Sequence, residues 1–92
     1  MAIYMGVYEL SDVMGNGAPR FVKQLSNGRA HYLFKSSESG RWMVTSEEKH
    51  ITANMGRIRS ARASNLPSEP GLQWQSGDGW QDLPDVQCIE VP

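Results

Sequence analysis

The sequence predicts a small all-β domain. Aromatic residues recur in short segments such as Tyr32-Leu33-Phe34, and stretches rich in Gly, Asn, Ser and Pro separate these segments. Short strands at such close spacing are typical of an antiparallel meander. The chain has 92 residues, the length of one domain. We therefore expect a single domain over residues 1–92, with about 6–8 short antiparallel strands in a partial barrel or small sandwich.

The first element is a strand over residues 3–10, which is rich in the β formers Ile, Tyr and Val. A turn follows at residues 15–19. The next two strands flank Asn27-Gly28, a pair that favours a two-residue hairpin turn. In that register Leu25 faces Ala30 and Phe21 faces Phe34, so the predicted core face carries five residues. They are Phe21, Leu25, Ala30, Tyr32 and Phe34.

A second hairpin is expected through residues 36–40. It would place Trp42 opposite Phe34 and add Trp42 and Val44 to the same core face. On the opposite face, Val22, Leu33 and Met43 would form an apolar row that is either covered by curling of the sheet or used as a contact surface.

The remaining elements follow from turn residues and alternation. Residues 46–54 read as a short turn or loop in which Ser46 is a possible N-cap. A strand is expected over residues 57–61, a surface loop over 65–71, and a hairpin between residues 72–75 and 80–81. A last strand is expected over Val86–Val91.

Charge is unevenly placed along the chain, although the net charge is only −1. All nine Lys and Arg lie between Arg20 and Arg62, and residues 63–92 hold five acids and no base. The two parts either neutralise each other across the fold or steer an acidic partner or a second copy of the chain. The sequence pI of about 6.1 disfavours nucleic-acid binding.

The number of cysteines and the first residues of the sequence predict the cellular location. Cys88 is the only cysteine, which favours a reducing compartment. The start of the chain lacks a charged leader, and no apolar run approaches the about 20 residues of a membrane span. We expect a cytoplasmic protein without a membrane anchor.

The order of motifs resembles a small all-β repeat module found in protist and marine invertebrate proteins, often beside kinase, ankyrin or ubiquitin-ligase segments. The motifs are Asn16-Gly17-x-Pro19-x-Phe21, Tyr32-Leu33-Phe34, Gly40-x-Trp42, Arg59-Ser60, Leu66-Pro67, Trp74, and Gly79-Trp80 with Pro84-x-Val86. The resemblance covers almost the whole chain, with Phe where the module usually has Tyr at positions 21 and 34. It implies an adaptor or recognition role and no catalytic residue.

Motifs for catalysis or metal binding are missing from the sequence. There is no phosphate-binding Gly-rich loop, no His-Glu-x-x-His and no Cys-x-x-Cys. His31, His50 and Cys88 lie on separate segments without metal-ligand spacing, so we expect no metal site and no cofactor. A nucleophile pair of Cys88 and His31 is the enzymatic alternative, although no third residue to orient it is evident.

Two groups of residues are the candidate binding sites. Arg57, Arg59 and Arg62 form a basic run that fits phosphate, an acidic peptide or nucleic acid, or else a solvated strand face or ion pairs with the acidic end of the chain. Trp74 and Trp80 flank a Gly-Asp-Gly turn and form either an exposed aromatic platform for a peptide or a sugar, or part of the core.

We therefore expect a non-enzymatic interaction or adaptor module that binds a protein or peptide. A carbohydrate-binding module with an exposed Trp is the alternative, and self-association is also compatible with the sequence.

Overall fold

Seven antiparallel strands follow one another in a single sheet in the computed structural model, which describes residues 4–77 and 79–90. The strands are β1 Glu9–Leu10, β2 Phe21–Gln24, β3 Ala30–Lys35, β4 Trp42–Thr45, β5 Ile58–Ser60, β6 Trp74–Ser76 and β7 Gln81–Asp82. Each strand pairs with its neighbour in the chain, and the sheet is not closed into a barrel. The all-β antiparallel meander predicted from the turn residues is confirmed.

The first Asn-Gly pair makes the tight two-residue turn. Asn16 and Gly17 have φ angles of 56° and 77°, and the backbone groups of Gly15 and Ala18 hydrogen-bond to each other across them. The Asn16 side chain then ties this turn to distant parts of the fold. Its Nδ2 donates to the backbone oxygens of Lys35 and Ile51 at 3.2 and 2.9 Å, and to Asn54 Oδ1 at 3.2 Å.

The second Asn-Gly pair makes a hairpin, but with a longer turn than predicted. Only Gly28 has positive φ, at 82°, and Leu25 N donates to the Arg29 oxygen across a three-residue loop. This is the geometry of a turn followed by a glycine bulge. The loop holds one residue more than predicted, so Phe21 pairs with Leu33 rather than with Phe34.

The β3–β4 hairpin is also shifted by one position. Phe34 pairs with Met43, and Lys35 pairs with Trp42. A shift of one residue moves a side chain to the other face of the sheet. The predicted Phe34–Trp42 pair is therefore wrong, and Trp42 instead lies beside Phe21, with 6.1 Å between the ring centroids.

The two faces of the sheet carry separate apolar clusters. The larger cluster, on the face we call the groove face, contains seven buried residues. They are Tyr4, Leu33, Trp42, Val44, Ile58, Leu72 and Trp74. The smaller cluster, on the opposite face, combines Phe34, Met43 and Ile51 with the partly buried Tyr32 and Trp80. The predicted core face and the predicted row of Val22, Leu33 and Met43 are therefore both wrong, since each mixes residues from the two faces.

The ends of the sheet are shorter than the sequence predicted. Of the strand expected over residues 3–10, only Glu9–Leu10 is regular within the described part, and residue 3 lies outside it. Residues 86–90 form no strand, while Val91 lies outside the described residues. The stretch predicted as a short turn or loop contains α1, Lys49–Thr52, a single helical turn whose N-cap is Glu48 rather than Ser46.

Candidate functional site

The five candidate site residues do not form one site. Trp74 lies in the larger cluster and is only 3% exposed, so it belongs to the core. Arg62 is exposed and forms an ion pair with Glu69. Arg57 is exposed before β5, where its backbone oxygen accepts a hydrogen bond from Gly77 N. Only Arg59 and Trp80 meet.

Arg59 and Trp80 form a stacked pair on the face opposite the groove face. The Arg59 guanidinium carbon lies 3.8 Å from the centroid of the Trp80 ring, which is cation–π distance. Arg59 Nε donates to Gln75 Oε1 at 3.0 Å, and Gln75 Nε2 donates to Asp82 Oδ1 at 3.3 Å. The cross-strand register of β5, β6 and β7 lines up these polar side chains.

The Trp80 ring is partly covered by other side chains. One side of its ring is covered by Arg59, and the residue also packs against the Phe34 cluster. An aromatic platform for glycans needs an exposed ring face. Trp80 directly precedes β7 and has a φ of 53°, and its ring lies against the Arg59 side chain of β5.

An apolar groove of about 1080 Å³ opens on the groove face. Its floor is made by residues of β2 to β6, and its walls by residues 4–10, 66–68 and 86–90. The floor residues are Phe21, Leu33, Val44, Ile58 and Trp74. Neither wall segment 4–8 nor 86–90 is part of a strand, so the groove is bounded by irregular chain rather than by a second sheet.

The rim of the groove carries several exposed apolar side chains. Eight large apolar side chains are exposed among the described residues, and five of them line this groove. The five are Met5, Val7, Leu10, Leu66 and Ile89. Single exposed apolar residues are common on proteins, whereas several around one groove are typical of an interaction surface.

The groove also holds polar groups, since Glu9, Ser68, Gln87 and Glu90 lie in its walls. Tyr8 Oη donates to the Tyr4 backbone oxygen at 2.7 Å, and burial together with the neighbouring Tyr4 raises the pKa of Tyr8. The Trp74 indole N–H is buried and has no hydrogen-bond partner within the described part of the chain. Cys88 is half-buried, and burial raises the pKa of its thiol. A neutral thiol of this kind is a weak nucleophile.

Of the two residues in the enzymatic alternative, only Cys88 lines the groove. His31 is buried against the ring of Tyr4, 4.6 Å between centroids, and it does not line the groove that holds Cys88. Metal binding is the other possibility for these residue types. Within residues 4–77 and 79–90, no group of three or more His, Cys, Asp and Glu side chains could hold a metal ion.

The basic stretch pairs mainly with its own acids rather than with the acidic end of the chain. Arg20 Nη2 lies 2.8 Å from Glu48 Oε2, and the Arg20 guanidinium also lies over the Tyr32 ring. Lys49 Nζ lies 3.2 Å from Glu47 Oε2. Among the described ion pairs, only that of Arg62 with Glu69 joins the two parts.

The groove and its rim were missed by sequence reasoning. The sequence signal was present as apolar residues in segments without clear alternation, such as Val7, Leu66 and Ile89, but only the fold shows that these residues surround one groove.

Comparison of this chain with protein-family models, with curated proteins and with solved structures finds no match. The resemblance to the small repeat module stays a prediction. None of the helices among the described residues has the length and apolar character needed to cross a membrane.

Proposed function

We propose that this chain is a non-enzymatic interaction module that binds an apolar segment of a protein partner in the groove. The observation that carries the proposal is the apolar rim, in which Met5, Val7, Leu10, Leu66 and Ile89 stay exposed around an already apolar floor. Exposed apolar area of this kind gains free energy when a partner covers it, about 25 cal/mol for each Å² removed from water.

The rim favours a polypeptide segment over a small apolar molecule. A compact ligand would cover the floor residues but leave much of the rim in water. A polypeptide segment can place alternate side chains in the groove while its backbone runs across the rim. Among the described residues β1, which contributes Leu10 to the rim, is the first strand of the sheet and pairs only with β2. Addition of a strand to such an edge is a common mode of peptide recognition.

A cytoplasmic location belongs to the same proposal. It is supported by a lone, half-buried Cys88 in a chain with no second cysteine to pair with.

Selection from a library of short random peptides, displayed against the full chain, tests the proposal. We expect the selected peptides to be rich in apolar residues. Leu66→Asp should weaken their binding at least about tenfold, because the contribution of one buried leucine is about 1.5–3 kcal/mol and 1.4 kcal/mol is a factor of ten. Met55→Asp is the matched control, since Met55 is exposed to a similar extent (53% against 58% for Leu66) but lies outside the groove.

Three results would contradict the proposal. The first is equal weakening by Leu66→Asp and Met55→Asp, and the second is selection of polar peptides that neither variant affects. The third is self-association in sedimentation experiments that Leu66→Asp abolishes, which would assign the groove to a second copy of the chain.

A further inference from the structure

A second candidate site lies on the face of the sheet opposite the groove. Arg59 and Met43 are cross-strand partners of β5 and β4, and Arg41 is the residue just before β4. Arg41 therefore lies at the start of β4, beside β5, and its positive charge is close enough to act on Arg59. Burial lowers the pKa of Arg59, and the nearby positive charge of Arg41 lowers it further.

The Arg59 guanidinium is held in place before any ligand arrives. Stacking on Trp80 fixes its plane, and the hydrogen bond from Nε to Gln75 fixes its rotation. A guanidinium has five N–H donors, and the bond to Gln75 uses one of them. Within the described part of the chain, no acceptor engages the four terminal N–H groups of Arg59.

The charge of this arginine pair is not cancelled by the ion pairs seen elsewhere. Arg20 and Arg62 each have a carboxylate partner, whereas Arg41 and Arg59 have none among the described residues. The acid in the same cross-strand row is Asp82, and Gln75 stands between it and Arg59. Two neighbouring cations that have no ion-pair partner among the described residues attract a doubly charged anion more strongly than a singly charged one.

We propose that Arg41 and Arg59, with Trp80 as the support of Arg59, bind a phosphate group. The planar donor fork of arginine matches phosphate oxygens, and charge-assisted hydrogen bonds of this type are about twice as strong as neutral ones. Phosphate carries between one and two negative charges at neutral pH as an ester, and can bridge both guanidiniums at once. This site is independent of the groove, because it lies on the other face.

Titration of the full chain, followed by NMR signals of the Arg59 Nε–H and the Trp80 indole N–H, tests the site. Two probes distinguish the sources of phosphate, namely inorganic phosphate and a short phosphoserine peptide. We expect saturable shifts with either probe, and tighter binding of the peptide if the natural ligand is a modified protein. Equal binding of both probes assigns the site to free phosphate, and either result supports a phosphate site.

Matched variants decide whether these two arginines are responsible. Arg59→Gln and Arg41→Gln should each weaken binding at least about tenfold, since a hydrogen bond to a charged group contributes about 1.5–3 kcal/mol. Arg29→Gln and Arg62→Gln are the controls, because they remove equal charge from exposed positions outside the pair. Arg41→Gln leaves the stack on Trp80 intact, so it tests the site even if Arg59→Gln disturbs folding. Equal weakening by all four variants, or no saturable shift with either probe, would overturn the proposal.

Discussion

Replacement of Asn16 tests how the fold is tied together. Its amide donates to backbone oxygens at the end of β3 and in α1, so one side chain connects the first turn to two distant elements. Each such hydrogen bond contributes about 1 kcal/mol net. Asn16 also has a φ of 56°, a conformation that costs an alanine about 1 kcal/mol more than it costs an asparagine. Together these terms predict that Asn16→Ala lowers the free energy of unfolding by about 3 kcal/mol.

Asn16→Gly separates the two contributions. Glycine adopts positive φ without strain, so this variant should lose only the hydrogen bonds, about 2 kcal/mol. Asn27→Ala is the matched control in the other Asn-Gly turn. There the side chain is exposed and accepts one bond, from Arg29 N at 2.9 Å, so the expected loss is about 0.5–1 kcal/mol. Urea unfolding measured by tryptophan fluorescence gives these values when the slope stays constant. Equal losses for Asn16→Ala and Asn27→Ala would refute the reasoning.

Two further predictions concern Gly28 and Cys88. Gly28→Ala should lower the free energy of unfolding by about 1–2 kcal/mol through backbone strain alone, because φ is 82° and an added Cβ meets nothing within 4 Å. Gly28→Asn should lose less unfolding free energy in the same urea assay, because asparagine tolerates positive φ better than alanine does. Identical losses for the two variants would contradict this explanation. Burial raises the pKa of Cys88, so the unfolded chain releases the thiol proton first, and stability falls as pH rises past the unfolded value of about 8.5. Iodoacetamide should therefore label the native thiol more slowly than the unfolded one, and Cys88→Ala should remove this part of the pH dependence; equally fast labelling would contradict it.

The turn residues predicted the meander, but they did not fix its register. Asn-Gly is compatible with both a two-residue turn and a longer turn with a glycine bulge, and this chain uses one form at Asn16 and the other at Asn27. Alternation could not choose between them. Phe21-Val22 and Tyr32-Leu33-Phe34 place apolar residues at consecutive positions, so either register gives an apolar face.

The candidate sites were predictable only in part, because they depend on contacts between distant segments. Arg59 and Trp80 were both named from the sequence, but their stacking requires the β6–β7 turn to fold over β5. Arg41 was missed because its role comes from the β4–β5 register. The groove was missed because its walls are irregular segments from opposite ends of the chain.

A single strand accounts for the different chemistry of the two faces. Along β5 the side chains alternate, so Ile58 lies in the groove floor while Arg59 lies on the opposite face beside Trp80. Ser60 returns to the buried side, where its hydroxyl accepts from Trp42 N and donates to the Arg62 oxygen. These hydrogen bonds hold β5 against β4, and they involve neither the groove rim nor the Arg59 side chain. A ligand in the groove and an anion at Arg59 therefore contact different side chains of one fixed strand, and the groove and phosphate variants can be interpreted separately.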